Sequence, residues 1–312
     1  MITIGFDTSN YTSSIAAFDG VEGNNVSRLL PVKTGELGLR QSEALFSHVK
    51  RLPELSDRLF AHISTGELTA IGVSTRPRAV EGSYMPCFLA GESQARVLAA
   101  ALHRPIYSFS HQQGHIAAVL WSAGRLDLFG SEFFAWHLSG GTTELLRVRS
   151  TADGEIDCEK IGGTTDISAG QLIDRTGQLL GFEFPAGKAL DAAAAGTEAG
   201  EFFRVRVRDC EFSLSGVQNQ VEAFRKKGAD AAQTSWFALR SVVEAVRKAT
   251  ENARKLAPLP VVFSGGVASN SMLRTVMRDA IFGAPQYSTD NAMGIAVLTR
   301  LRYLADAQNE RL

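Results

Sequence analysis

"FFAWHLSGGTTELLRV", residues 133–148, decides how this chain is built. An apolar run reads as a strand, the small hydroxyl-rich stretch Ser139–Thr143 as a tight turn, and the run after it as a returning strand. The N-terminus repeats that logic. "MITIGFDTS" reads as a buried strand ending in a polar turn, and "SSIAAFDG" as a returning strand with Asp19 and Gly20 as its turn signal. Direct identity between the two stretches is slight, yet two strand–loop–strand units predict an internal structural duplication in an α/β chain.

The remaining periodicity fits around these hairpins. Leu45, Val49, Leu52, Leu55 and Leu59 recur at helical spacing between Gln41 and Ile63. "LTAIGVSTRP" reads as a strand running into a loop, "GESQARVLAAALHRP" as a helix closed before Pro105, and "IYSFS" as a short strand. Residues 168–181 read as a helix with a glycine stop. "SWFALRSVVEAVRKATENARKLAP" reads as a long amphipathic helix, and "LPVVFSGGVASNSMLRTVMRDA" as a buried strand, a glycine turn and a helix. The 312 residues suggest about two domains of roughly 150 residues each. The boundary is expected between His115 and Phe133, giving subdomains 1–120 and 121–312. The second carries a helical insertion and a last helix that packs back on the first half.

Bulk composition narrows the class. An apolar share of 45% with 21% charged residues is that of a globular protein with a sizeable core. A formal net charge of −1 supplies no overall field for nucleic acid, so any such contact needs a local patch. Cys87, Cys158 and Cys210 are odd in number and form no CxxC pair, which points to a reducing compartment. The first residues lack a basic n-region and carry Asp7 early, so no signal peptide is expected. Nor is a membrane span, since no run of 18 apolar residues occurs. A cytoplasmic protein is the expectation.

Three small-residue turns follow strands in order. Asp7, Thr8, Ser9 and Thr12 lie in the first, Ser139, Gly140, Gly141, Thr142 and Thr143 in the second, and Gly265 and Gly266 in the third. Such turns can wrap phosphate with backbone N–H and hydroxyl donors, and a following helix N-terminus adds more. Each is also readable as a bare turn. His111 and His115, four apart in "SHQQGHIAAVL", share one helical face with Cβ atoms roughly 5–6 Å apart. Two such imidazoles can clamp one transition-metal ion together with a distant carboxylate, or be an ordinary hydrogen-bonded pair. Asp290 in "YSTDNAMG" is a candidate carboxylate and equally a helix N-cap.

The ordered set "GFDTS", "SHQQGH", "LSGGTTE", "AGQLIDRTGQLLG", "FPAGKALD", "FSLSG", "FSGGVASN" and "STDNAMG" resembles the tRNA threonylcarbamoyladenosine transferase family, long described as O-sialoglycoprotein endopeptidase. The resemblance runs from residue 1 to about 300. It implies an actin-like ATPase (ASKHA) fold, two duplicated subdomains around a nucleotide cleft. It also implies transfer of a threonylcarbamoyl group from an adenylate to N6 of adenosine 37 in tRNA. By position, it makes His111, His115 and Asp290 ligands of one divalent ion, iron or zinc. Asp7, Ser9 and Thr12 stand at the transfer turn, and Ser139 to Thr143 line the phosphate side of ATP, ADP or a carbamoyl adenylate. Asp174, Gly187 and Asp191 meet the ribose or adenylate, and Gly265, Gly266 and Asn270 complete the nucleoside pocket. Implied partners are tRNA, a small homologous subunit and an ATPase partner, in a homo- or heterodimer.

Departures from the family pattern shape the alternatives. Where the family reads Glu-Thr-Ser-Cys-Asp-Glu-Thr, this chain reads Asp7 to Ser13 without the two later acids. Thr142 replaces a histidine, Gln171 a glutamate and Arg175 a lysine, and the "RGPG" loop becomes "RPRAVEGSYMPCFLAG" with Arg76 and Arg78. A divergent paralogue with another acceptor, or a non-catalytic scaffold working through partners, is therefore weighed beside the transferase. A metallopeptidase ranks last, because the histidine pair lacks the internal glutamate of HExxH. A sugar-kinase-like phosphotransferase shares the fold, but no motif specifies a sugar pocket. Arg204, Arg206 and Arg208 alternate along "RVRVRD", a pattern suited either to RNA phosphate or to a charged edge strand.

Overall fold

The computed structural model describes residues 1–9, 11–31, 39–197, 200–287 and 292–309. In chain order these form β1 (Ile2–Thr8), β2 (Thr12–Phe18), β3 (Gly23–Leu29), α1 (Gln41–Phe60), β4 (Leu68–Arg76), α2 (Phe88–Leu102), β5 (Ile106–Ser110) and α3 (His111–Ser122). There follow β6 (Glu132–Leu138), β7 (Thr143–Ser150), β8 (Ile156–Thr164), α4 (Ala169–Leu180), α5 (Gly187–Ala194), β9 (Val207–Arg208), β10 (Glu211–Phe212) and α6 (Ser215–Lys226). The chain continues as α7 (Ala231–Leu256), β11 (Val261–Ser264), α8 (Ser271–Val276), β12 (Ile281–Phe282) and α9 (Ala292–Asn309). No helix among the described residues is long and apolar enough to cross a membrane.

The duplication is visible in strand order. The first sheet runs β3-β2-β1-β4-β5. The second contains β8-β7-β6-β11-β12, the same order built from the second set of strands, and adds β10 and β9 beyond β8. Directions agree where the pairs correspond: β1 is parallel to β4 and β4 to β5, as β6 is to β11 and β11 to β12.

Two compact units result. The first holds Met1–Ser131, Arg149–Asp157 and Gln286–Leu312, and the second Glu132–Val148 and Cys158–Pro285. A cut after residue 120 would fall inside α3. In the first unit β1 is buried along nearly its whole length, because helices cover both faces of its sheet. One face packs Ile4, Phe6, Ile71 and Val73 against Leu52, Leu55 and Leu59 of α1 and Ala95 and Ala99 of α2. The other carries Gly5 and Gly72, where a Cβ would overlap the backbone or side chains of α9. That absence of side chains lets α9 lie directly on the strands, and the Thr3 hydroxyl donates to the Ala296 carbonyl at 2.8 Å. Gly294 similarly brings α9 against the backbone of α3 at Gly114.

In the second unit Phe134, Trp136 and Leu138 of β6 meet Val242, Val243 and Val246 of α7 in the main core. The buried Trp136 indole N–H donates to Thr250 Oγ1 at 2.8 Å, so its one polar atom is satisfied. The basic stretch is an edge. Val205 packs into the core while Arg204, Arg206 and Arg208 are exposed, and only Val207–Arg208 is hydrogen-bonded as strand. Glu211 lies opposite Arg208 in the closing hairpin.

Candidate functional site

The first unit gathers its polar residues at the C-terminal end of β1. Asp7 is the penultimate residue of that strand and is 1% exposed. Its Oδ1 accepts hydrogen bonds from the Ser74 hydroxyl of β4 and, at 3.0 Å, from His111 Nδ1 at the start of α3. Burial, the largest single influence, pushes the Asp7 carboxyl up. The positive field and hydrogen bond of His111, with the Ser74 bond, outweigh it and hold the group below the usual carboxylate range.

His111 stands there because β5 runs straight into α3. Ser110 caps the helix through a capping box with Gln113, which fixes the backbone that carries the ring. His111 and His115 lie on one face as their spacing predicts, with ring centroids 4.6 Å apart in an edge-on arrangement. Phe88 packs edge-on against His111 at 5.9 Å. Two of the three proposed metal ligands are thus brought together, and Asp290 lies outside the described residues. Among the described residues no group of three or more His, Cys, Asp or Glu is arranged to hold an ion. Ser9 and Thr12 sit half-buried at the turn above Asp7.

The sequence reading missed a further histidine. His48 of α1 carries a packing or surface role by its spacing alone, yet it is fully buried and its Nδ1 lies 2.7 Å from the Ser13 hydroxyl. Ser13 pairs with Thr8 across the hairpin, so His48 braces the base of the same turn. Burial is the chief cause that pulls its basicity down, with the Ser9 backbone and Asp7 acting in the opposite direction. Cys87 lies close by. Burial, then the Asp7 carboxylate, push its thiol up to about 12, so it carries no thiolate at neutral pH.

The second unit carries the nucleotide candidates. At the β6–β7 tip the Ser139 N–H donates to the Thr142 carbonyl at 2.8 Å and the Thr142 N–H to Ser139 Oγ at 3.0 Å. Helix α4 seals the turn from below. Ser168 Oγ donates to the Gly140 carbonyl at 2.7 Å, and Thr143 Oγ1 accepts from the Ala169 N–H at 2.8 Å. Gly140 and Gly141 are exposed, with open space where a side chain would stand. Asp174 on α4 accepts from the Ala186 N–H at 2.9 Å, just before Gly187 opens α5. Its partial burial pushes the carboxyl up, with that N–H opposing.

Two expectations about the third turn need correction. Gly265 holds φ +89°, and a Cβ there would overlap the Leu138 carbonyl, so its close backbone approach is to β6 rather than to a ligand. Nor does the turn lead straight into an open helix N-terminus. A single 3-10 turn, Gly266–Ser269, intervenes, and α8 starts only at Ser271. Asn270 caps it by accepting from the Leu273 N–H at 2.9 Å, while Asp191 of α5 accepts from the Ser271 N–H at 3.0 Å. Asn270 also donates to Asp191 at 2.8 Å. Gly266 itself is exposed. The donors are consumed because α8 has under two turns and both flanking polar side chains fold onto it.

Comparison with known proteins adds to this geometry. The family model described as "TsaD: tRNA N6-adenosine threonylcarbamoyltransferase" matches residues 34–297. A protein of that name from Carboxydothermus hydrogenoformans is 31% identical over 274 residues, covering 83% of this chain and 78% of its own. Another from Thermotoga neapolitana is 29% identical over 316 residues, covering 95% and 92%. Among solved structures, component A of (R)-2-hydroxyglutaryl-CoA dehydratase from Acidaminococcus fermentans superposes with TM-score 0.59 at 15% identity, over 98% of this chain and 99% of its own. That likeness, with the repeated strand order, makes the fold that of the actin-like ATPases. The chain belongs to the TsaD family of tRNA N6-adenosine threonylcarbamoyltransferases, an acyltransferase family of enzymes.

Proposed function

We propose that this protein transfers a threonylcarbamoyl group from an adenylate to N6 of adenosine 37 of tRNA, using one divalent ion, iron or zinc. The observation that carries the reading is the pairing of His111 and His115 on one face of α3, directly beside the Asp7 turn. The donor chemistry fits such an ion: two imidazoles at 4.6 Å between centroids, one of them already bonded through its other nitrogen to a carboxylate. His111, His115 and Asp290 would hold it. When bound, it supplies a Lewis acid that polarises the carbamoyl carbonyl.

The chain's own residues do the rest. An adenylate is already activated, so placement matters more than covalent assistance. The amine forms the new N–C bond and loses one proton to solvent as the C–O bond to the phosphate breaks and AMP leaves. Gly140 and Gly141 present exposed backbone suited to phosphate oxygens, with Ser139, Thr142 and Thr143 shaping the turn. Asp174, Gly187 and Asp191 with Gly266 and Asn270 form the nucleoside side, while Gly265 fixes the third turn against β6. In this reading Asp191 and Asn270 form an already ordered acceptor–donor pair. The buried Cys87 thiol carries no thiolate at neutral pH and is not a nucleophile for a covalent route.

The reading extends to a cytoplasmic assembly with a small homologous subunit and an ATPase partner. Phe46 and Val49 on α1 and Val97 on α2 are more than half exposed, an apolar surface suited to a second helical subunit. A second reading, a paralogue with another acceptor or a scaffold, is favoured by the exposed Tyr11 and by Thr12 where the family pattern has acids. Complementation of a strain lacking its tRNA transferase, with nucleoside analysis of the tRNA, separates the two. Restored threonylcarbamoyladenosine supports transfer to tRNA. Its absence, from a folded and metal-loaded protein, supports the second reading.

A further inference from the structure

We propose that Asp7 is a positioning residue that commits His111 to bind metal through Nε2. This rests on the metal reading above. A neutral imidazole carries one N–H, and the partner of one nitrogen decides which atom keeps a lone pair for a metal. An ionised carboxylate only accepts hydrogen bonds. With Asp7 Oδ1 3.0 Å from His111 Nδ1, that nitrogen is the donor and Nε2 keeps the lone pair.

The carboxylate is itself held. Ser74 donates to the same oxygen from β4, and the β1–β4 register that pairs Phe6 with Val73 brings the next residues, Asp7 and Ser74, side by side. The imidazole is held as well, by the capped backbone at Ser110 and by edge contacts to Phe88 and His115. A buried strand end, a strand neighbour and a helix start therefore set one ring orientation before any ion arrives. In a transferase of this kind, the residue at the end of β1 then acts on the ion through a ligand rather than by touching substrate.

Two measurements test this on the purified full chain. Long-range 15N–1H NMR of the metal-free protein above pH 7.5 reads the His111 tautomer, and zinc titration against a competing chelator reads affinity. In the wild type, His111 carries its proton on Nδ1. Asp7→Asn, whose amide can donate or accept, is expected to yield mixed tautomers and zinc binding weaker by about 10–100-fold. Ser74→Ala keeps the carboxylate and should give a smaller loss; it carries the test if Asp7→Asn does not fold. Unchanged tautomer and affinity in both variants overturn the positioning role. Complete loss of zinc with an unchanged tautomer overturns it too, by making Asp7 a ligand. If wild type and His111→Ala bind zinc equally poorly, the metal reading itself falls and takes this proposal with it.

Discussion

The Asp7 carboxylate and the His111 imidazole meet at 3.0 Å where β1 ends and α3 begins, so two segments 104 residues apart share one hydrogen bond. Everything assigned to the first unit's site is arranged around that contact.

It sets an acid limit on stability. The Asp7 group titrates below its ordinary value of 3.8 in the folded chain. Its contribution is therefore present in full above the unfolded value and is lost as pH falls through the folded one. Urea unfolding between pH 5 and pH 2 is expected to show this loss in the wild type. In Asp7→Asn the corresponding segment of the profile should be missing.

His48 acts higher on the scale. Its folded value lies below the ordinary 6.5 because burial disfavours the imidazolium. The unfolded chain then takes up the proton first, so stability present above pH 6.5 falls as pH drops through the folded value. His48→Gln should flatten the profile between pH 7.5 and 5.5, measured by denaturant midpoint. A wild-type midpoint that stays constant over this range would contradict the assignment.

Gly265 combines φ +89° with ψ 163°, a region open essentially to glycine alone, and faces the Leu138 carbonyl without room for a Cβ. Gly265→Ala is expected to cost about 2–5 kcal/mol, from backbone strain and overpacking together. Calorimetry should show a lowered Tm, with the heat of unfolding falling along with it.

Gly170 offers a way to displace the phosphate turn. A Cβ there would overlap the backbone of Ser139 and Gly140, a clash that the roughly 1 kcal/mol helical preference for alanine does not offset. Gly170→Ala should therefore lower the thermal midpoint and also weaken ADP binding about tenfold or more by isothermal titration, measured at a temperature where the variant is folded. Unaltered ADP affinity would detach the Ser139–Thr143 turn from nucleotide.

What could be read in advance was local. The 133–148 hairpin, the helix stopped by Gly181 in its left-handed conformation, and the shared face of His111 and His115 are all short-range patterns. What escaped depends on residues far apart in the chain. Gly5 and Gly72 look like ordinary strand glycines until α9 lies on them. His48 reads as a packing or surface residue, and only the approach of Ser13 from the neighbouring strand gives it a place at the site. The same is true of Gly265, whose constraint comes from Leu138, and of Asn270, whose side chain is spent on capping α8 and holding Asp191. The division near residue 120 misplaces the boundary because the second unit begins only at Glu132 and a segment at 149–157 belongs with the first one, whereas the last helix packs on the first unit as expected.

The seat of α9 on Gly5 and Gly72 also dictates an order of assembly during synthesis. All segments of the second unit have been made once the ribosome reaches residue 285, whereas the first unit still lacks the helix that covers one face of its sheet. A nascent chain therefore holds its histidine-bearing half open until α9 emerges, and a product stalled before it would leave that apolar face for chaperones to shield.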